Sequence, residues 1–346
     1  MLGMIVVLFI ALSLSKMDTG STGERSSLPL HVVSPLIPST SLSQLCGRQV
    51  LLKLDNAQPS GSFKIRGIGH FIRKNIEKGY DHVVTSSGGN AGMAAAYASR
   101  RLGVPATVVI PESTPHLMIS RLKEEQADVI VHGHVWNDAH EKAQELAQKD
   151  KCCLVHPFDH PDIWEGHSTL VTEILEQSFE KPAAIVVSVG GGGLLCGILK
   201  GLHEHGVADI PVIAMETEGA HALSAALQAG KPVSIGDITS IAKTLGALSV
   251  TQGVFDLMPG IQVLSNVITD KQAVVACMKF ADEHHMLVEP ACGAALAAGY
   301  CGIVQEFISK DVICNDGPVV FVVCGGNIVT LDLLMTWKNQ LCILTT

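Results

Sequence analysis

The run Ala184-Ile185-Val186-Val187-Ser188-Val189 leads directly into Gly190-Gly191-Gly192-Gly193-Leu194-Leu195. A short β-branched segment without polar alternation reads as a strand buried on both faces. Four consecutive glycines are costly in chain entropy, so they mark a strand-to-helix turn at which bare backbone must come close to something. Free amides at such a turn suit a phosphate, and close helix-on-strand packing is the alternative. No Gly-Lys-Ser/Thr follows, which excludes a Walker loop. No acidic residue ends a second strand about twenty residues on, so the dinucleotide fingerprint is incomplete.

The same alternation extends in both directions. Strands are expected over 50–54, 82–85, 106–110, 128–132, 184–189, 211–215 and 319–323. Helices are expected over 63–78, 90–101, 137–148, 163–180, 272–284 and 291–307. Short apolar strands alternating with helices predict open, mainly parallel twisted sheets flanked by helices. The bulk numbers agree: 346 residues, 47% hydrophobic and only 16% charged, rich in Gly and poor in aromatics, as suits an α/β enzyme with two cores. The formal charge of −9 comes without a basic stripe and argues against nucleic-acid binding. None of the ten cysteines forms a C-x-x-C pair, and all are read as reduced thiols of a reducing, cytoplasmic setting. Met4 to Leu14 is apolar but too short for an ordinary membrane span. A signal-peptide core fits its length, yet no basic residue precedes it. Residues 1–28 are therefore expected to be an apolar and disordered leader, with a targeting role left open.

Three further segments carry chemistry. In Gln58-Pro59-Ser60-Gly61-Ser62-Phe63-Lys64-Ile65-Arg66-Gly67, a lysine follows a turn and is flanked by apolar Phe63 and Ile65. Desolvation there would favour the neutral, nucleophilic amine; a solvated surface charge is the ordinary alternative. Ser86-Ser87-Gly88-Gly89-Asn90-Ala91-Gly92 lies between a strand and a helix, where unpaired N–H groups suit a carboxylate or phosphate. Val322-Val323-Cys324-Gly325-Gly326-Asn327 puts a small thiol at a strand's carboxyl end, where ligands of open α/β sheets bind.

Together these segments resemble the fold type II pyridoxal-phosphate enzymes, and within them the animal L-serine dehydratase/L-threonine deaminase family, in order and spacing from about His31 to Leu341. Pro157-Phe158-Asp159, Ala214-Met215-Glu216-Thr217 and Glu289-Pro290-Ala291-Cys292-Gly293-Ala294 add to the resemblance. It implies a large cofactor-binding domain of residues 29–66 and 164–346 and a small domain of residues 67–163. Lys64 would bond covalently to pyridoxal 5'-phosphate and act as the catalytic base, with Phe63 packed on the ring. Gly190, Gly191, Gly192, Gly193 and Leu194 would hold the phosphate, Asn90 the phenolic oxygen, and Cys324 would face the ring nitrogen. Ser87, Gly88, Gly89, Asn90 and Ala91 would hold the substrate carboxylate. Glu216, Ala220, Leu245 and Ala247 would line a monovalent-cation (K+) site.

Two positions depart from the family pattern. Gly88 stands where the more active branch has Ala, which resembles the serine dehydratase-like branch. Thr244 stands where a small Ala or Ser packs against the second ring face. The implied function is dehydration and deamination of L-serine and L-threonine by a homodimer without membrane or nucleic-acid partners, with low turnover expected from these two departures. Racemisation or β-replacement on the same scaffold is the rival reaction, and a catalytically weak amino-acid-binding protein is the rival class.

Overall fold

The computed structural model describes residues 28–149, 151–313 and 316–343. The expected leader, 1–28, therefore lies outside the described residues except for Leu28. Two sheets organise the chain. The larger is formed by β1 (Leu36–Pro38), β2 (Val50–Leu54), β7 (Ala184–Ser188), β8 (Val212–Thr217), β9 (Val263–Ile268) and β10 (Val319–Val323), in the order β1-β2-β10-β7-β8-β9. Only β1 is antiparallel to its neighbour; β2, β10, β7, β8 and β9 run parallel. The smaller sheet contains β3 (His82–Thr85), β4 (Ala106–Ile110), β5 (Asp128–Val131) and β6 (Cys152–Val155), all parallel, in the order β5-β4-β3-β6.

Burial explains which strands read clearly. Every residue of β7, β8, β10 and β4 is buried, as strands covered by helices on both faces must be. β1 is three residues ending in Pro, β6 begins with two cysteines, and β9 is mostly half-exposed. β1 and β9 present no long apolar run and β6 only the four residues Cys-Cys-Leu-Val, and none of the three was expected.

The helices that matter for the site follow strand ends. In chain order they are α1 (Lys64–Glu77), α2 (Asn90–Leu102), α3 (Pro161–Gln177), α4 (Gly193–Glu204), α5 (Asp270–His284) and α6 (Pro290–Tyr300). The single helix expected over 291–307 is corrected: α6 stops at Tyr300 and a separate helix, Ile303–Ser309, follows. Gly302 between them has φ 77°, a left-handed conformation that ends one helix and starts the next. Almost all of α6 is buried, beneath β7, β8 and β10.

A buried ionic cluster ties the N-terminal segment, β2, α1 and α3 together. Arg66 grips Asp55 through Nε to Oδ2 (2.6 Å) and Nη2 to Oδ1 (2.8 Å), and Glu173 through Nη1 to Oε1 (2.6 Å). Lys53 donates to Glu173 Oε2 (2.5 Å) and to the Ser34 carbonyl (2.7 Å). Burial opposes ionisation of Asp55, but the Arg66 guanidinium outweighs it and holds the carboxyl below its ordinary range.

Candidate active site

Parallel order places three chemically distinct chain ends side by side. β2, β10 and β7 are neighbours, so their carboxyl ends open on one edge of the large sheet. Lys64 lies in the turn and helix start beyond β2, Cys324 directly follows β10, and the glycine turn follows β7. The Phe63 N–H donates to the Cys324 carbonyl (3.1 Å), and the Ser188 Oγ lies 3.5 Å from the Cys324 Sγ. Lys64 and the glycine turn therefore share Cys324 as a neighbour.

They also share Pro157-Phe158. Lys64 Nζ donates to the Pro157 carbonyl (2.6 Å) and sits 5.1 Å from the centre of the Phe63 ring. The Phe158 ring lies against Gly191, where an added Cβ would meet it at 2.4 Å. His156 Nδ1 accepts the N–H groups of Phe158 and Asp159 (3.3 and 2.8 Å), and Trp164 Nε1 donates to the Phe158 carbonyl (2.9 Å), so this turn is held from both sides. Phe63 itself packs on the His167 ring, with centres 5.1 Å apart.

Both glycine-rich turns open helices without a side-chain cap. Gly192, at φ 89°, precedes α4, and Gly89 precedes α2. Uncapped first-turn amides at the positive end of a helix dipole are anion sites. Ser87, Gly88 and Gly89 are partly exposed, whereas Asn90 and Ala91 are buried. Asn90 bridges the two sheets: its Oδ1 accepts the Asn327 N–H (3.0 Å) and an Asn327 side-chain N–H (3.2 Å), while its Nδ2 donates to Glu289 Oε1 (2.7 Å). Thr244, exposed on a short 3₁₀ turn, also donates to Glu289 Oε1 (2.7 Å).

The model of a "Pyridoxal-phosphate dependent enzyme" matches residues 28–325. The chain belongs to that family. It is 51% identical over 318 residues to the human "L-serine dehydratase/L-threonine deaminase", covering 91% of this chain and 97% of that one. It is 49% identical over 324 residues to the mouse "Serine dehydratase-like", covering 93% and 98%. A fungal L-serine ammonia-lyase from Rhizomucor miehei superposes with a TM-score of 0.84 at 34% identity, over 90% of this chain and 99% of that one.

The residues present fit the family's cofactor. An aldehyde needs an amine near neutrality: burial lowers the Lys64 pKa to about 8, against the pull of Cys324 and Glu289 in the other direction. A phosphate needs bare amides, and the start of α4 supplies them with no side chain of the turn in the way. A hydrogen bond with Cys292, together with burial, raises the Cys324 thiol well above its ordinary range, so it stays neutral. Glu216, at the end of β8, is buried; its carboxylate accepts the N–H groups of Leu223 and Ser224 (2.7 and 2.8 Å), and burial raises its pKa to about 7. Ala220 lies in the turn just after it, and Leu245 places its backbone against Gly190 in the neighbouring 3₁₀ turn, with Ala247 two residues on.

The segment Glu289-Pro290-Ala291 brings a carboxylate to the site for which the sequence signals no role. Glu289 is buried at the start of α6, and its Oε2 has no hydrogen-bond partner. The available signal was a carboxylate immediately before Pro at the head of an otherwise wholly apolar helix, where an unpaired charge is expensive.

Proposed function

We propose that this family member dehydrates and deaminates L-serine to pyruvate and ammonia, and L-threonine to 2-oxobutyrate and ammonia. The observation that carries the reading is the meeting of Lys64, with its lowered pKa, and an uncapped glycine turn at the carboxyl ends of the adjacent strands β2, β10 and β7. The amides of residues 190–194 would hold the phosphate, Asn90 the ring hydroxyl, and Ser87 to Ala91 the substrate carboxylate. Bound pyridoxal phosphate supplies an electron sink joined to the substrate's amino nitrogen.

The remaining work belongs to the chain. Lys64, neutral in part at physiological pH, serves first as nucleophile and then as the base that takes the Cα proton. The Cβ–OH bond then breaks, and the hydroxyl leaves as water by taking the proton that Lys64 had accepted from Cα, which returns the amine to its neutral form. The released enamine hydrolyses to ketoacid and ammonia. Cys324, a neutral thiol, would present no negative charge to the ring nitrogen of a bound cofactor, which would favour elimination over transamination. A K+ ion at Glu216 and the carbonyls of Ala220, Leu245 and Ala247 is part of the proposal, supported by the buried carboxylate at a strand end. So is a cytoplasmic homodimer; the nine cysteines among the described residues are free thiols, which supports a reducing compartment.

The test is an absorbance spectrum of purified protein before and after L-serine, with ketoacid release followed in parallel. Lys64→Ala is expected to abolish the cofactor band and the release of pyruvate. A band that survives and is fixed by borohydride to another lysine defeats the assignment. D-Serine or cysteine formed in place of pyruvate would establish the rival reactions.

A further inference from the structure

Glu289 lies where three elements converge on one carboxyl group. Its Oε1 accepts from Asn90 at the head of α2 and from Thr244 on the 3₁₀ turn, both at 2.7 Å. Gly326, beyond β10, closes over the other side: a Cβ there would lie 2.6 Å from Glu289 Oε2. That oxygen is buried and unpartnered. The orientation of the Asn90 amide follows from these contacts. Asn327 takes its oxygen with two N–H groups, so its nitrogen must face Glu289, spending one N–H there and leaving one.

We propose that Glu289 is a positioning residue of the cofactor site: its carboxyl locks the Asn90 amide and the Thr244 hydroxyl in place, and its ionisation alters the polarity of the N–H that Asn90 has left to give. The proposal rests on the cofactor reading above. The groups facing Glu289 from the elements around it are Lys64 on α1, Asn90 on α2, Thr244, Cys277 on α5 and Cys324 after β10. Lys64 is the cation among them, and both thiols are held neutral by their surroundings, Cys277 by burial and Cys324 by Cys292 together with burial.

The geometry makes Glu289 titrate in an unusual range. Burial raises its pKa from 4.5 to about 7, opposed by the hydrogen bonds from Thr244 and Asn90 and by the Lys64 charge. Between those two values the folded chain keeps a proton that the unfolded chain releases. Stability from this group is therefore full below pH 4.5, falls as pH rises to 7, and is level above it.

The experiment compares full-length wild type, Glu289→Gln and Glu289→Ala, with and without added pyridoxal phosphate. Without cofactor, the melting temperature of Glu289→Gln relative to wild type is expected to rise from pH 5 to pH 7 and then stay constant. With cofactor, wild type is expected to show a spectral transition in the same range that Glu289→Gln lacks. Glu289→Ala removes the acceptor and is expected to weaken cofactor binding about tenfold or more. Parallel melting profiles, or the same spectral transition in Glu289→Gln, would overturn this proposal alone. A wild-type chain that takes up no cofactor would overturn the functional reading and this one with it.

Discussion

Gly88 shows how much one methyl can decide. A Cβ at this position would meet the Thr114 Cγ2 at 2.9 Å and the Ile110 Cγ2 at 3.0 Å. Both are side-chain ends, so a turn of Thr114 can relieve part of the crowding. Gly88→Ala is expected to lower stability by about 1 kcal/mol, the lower end of overpacking costs, and to raise pyruvate release several-fold by restoring the residue of the more active branch. Thermal melting and steady-state rates with L-serine check both directions. At this scale the sequence made Lys64, the glycines and Cys324 candidates because each sits in a short-range pattern, and the fold brings them together. Glu289 stayed hidden because its partners, Asn90 and Thr244, are 199 and 45 residues away. The burial and hydrogen bonding that shift its titration exist only after folding. Thr244 was expected to stand against a ring face; its hydroxyl is engaged with Glu289, a contact the sequence does not announce.

Elements were legible where apolar composition and period agreed, as in β7, β10 and α1. They were obscure where tertiary contacts made the decision. β9 has one buried residue of six and holds its place by pairing with β8 rather than by its own composition. The helix expected over 291–307 looked continuous because Tyr300 to Ile303 is mostly apolar, and the left-handed Gly302 breaks it. At the glycine turn before α4 packing is one visible reason for the glycines, and the uncapped amides leave ligand binding as the proposed second. At Gly191 an added Cβ would strike the Phe158 ring, and at Gly192 the backbone is left-handed. Gly191→Ala must displace Phe158, and with it the turn that receives Lys64. Its affinity for pyridoxal phosphate is expected to fall at least about tenfold, equivalent to one lost phosphate hydrogen bond. Equilibrium dialysis or tryptophan fluorescence measures this, and unchanged affinity would mean that the turn serves packing alone.

At the scale of the whole molecule, two mainly parallel sheets were legible from the alternation of strands and helices, but strand order was not. That β10 inserts between β2 and β7 is a long-range pairing that no local segment announces, yet it brings Cys324 between the lysine and the glycine turn. The buried cluster of Lys53, Asp55, Arg66 and Glu173 was likewise unread, since its members are scattered over 121 positions of the chain. Removing its central cation leaves Asp55 without its ion-pair partner and Glu173 with Lys53 alone. Arg66→Met is expected to destabilise the protein by about 3–5 kcal/mol, seen as a lower denaturant midpoint. A loss below about 1 kcal/mol would show that Lys53 alone can neutralise the cluster.

The lysine comes after β2 and the glycine turn after β7, both strands of the larger slab, while the amides assigned to the carboxylate come after β3 of the smaller one, with Asn90 riveting the two. Recognition on this plan is a matter of span. On the proposed assignment a guest's amine would meet one bank and its acid the other, so that having both on one carbon would be the first condition of entry, before the side chain is read.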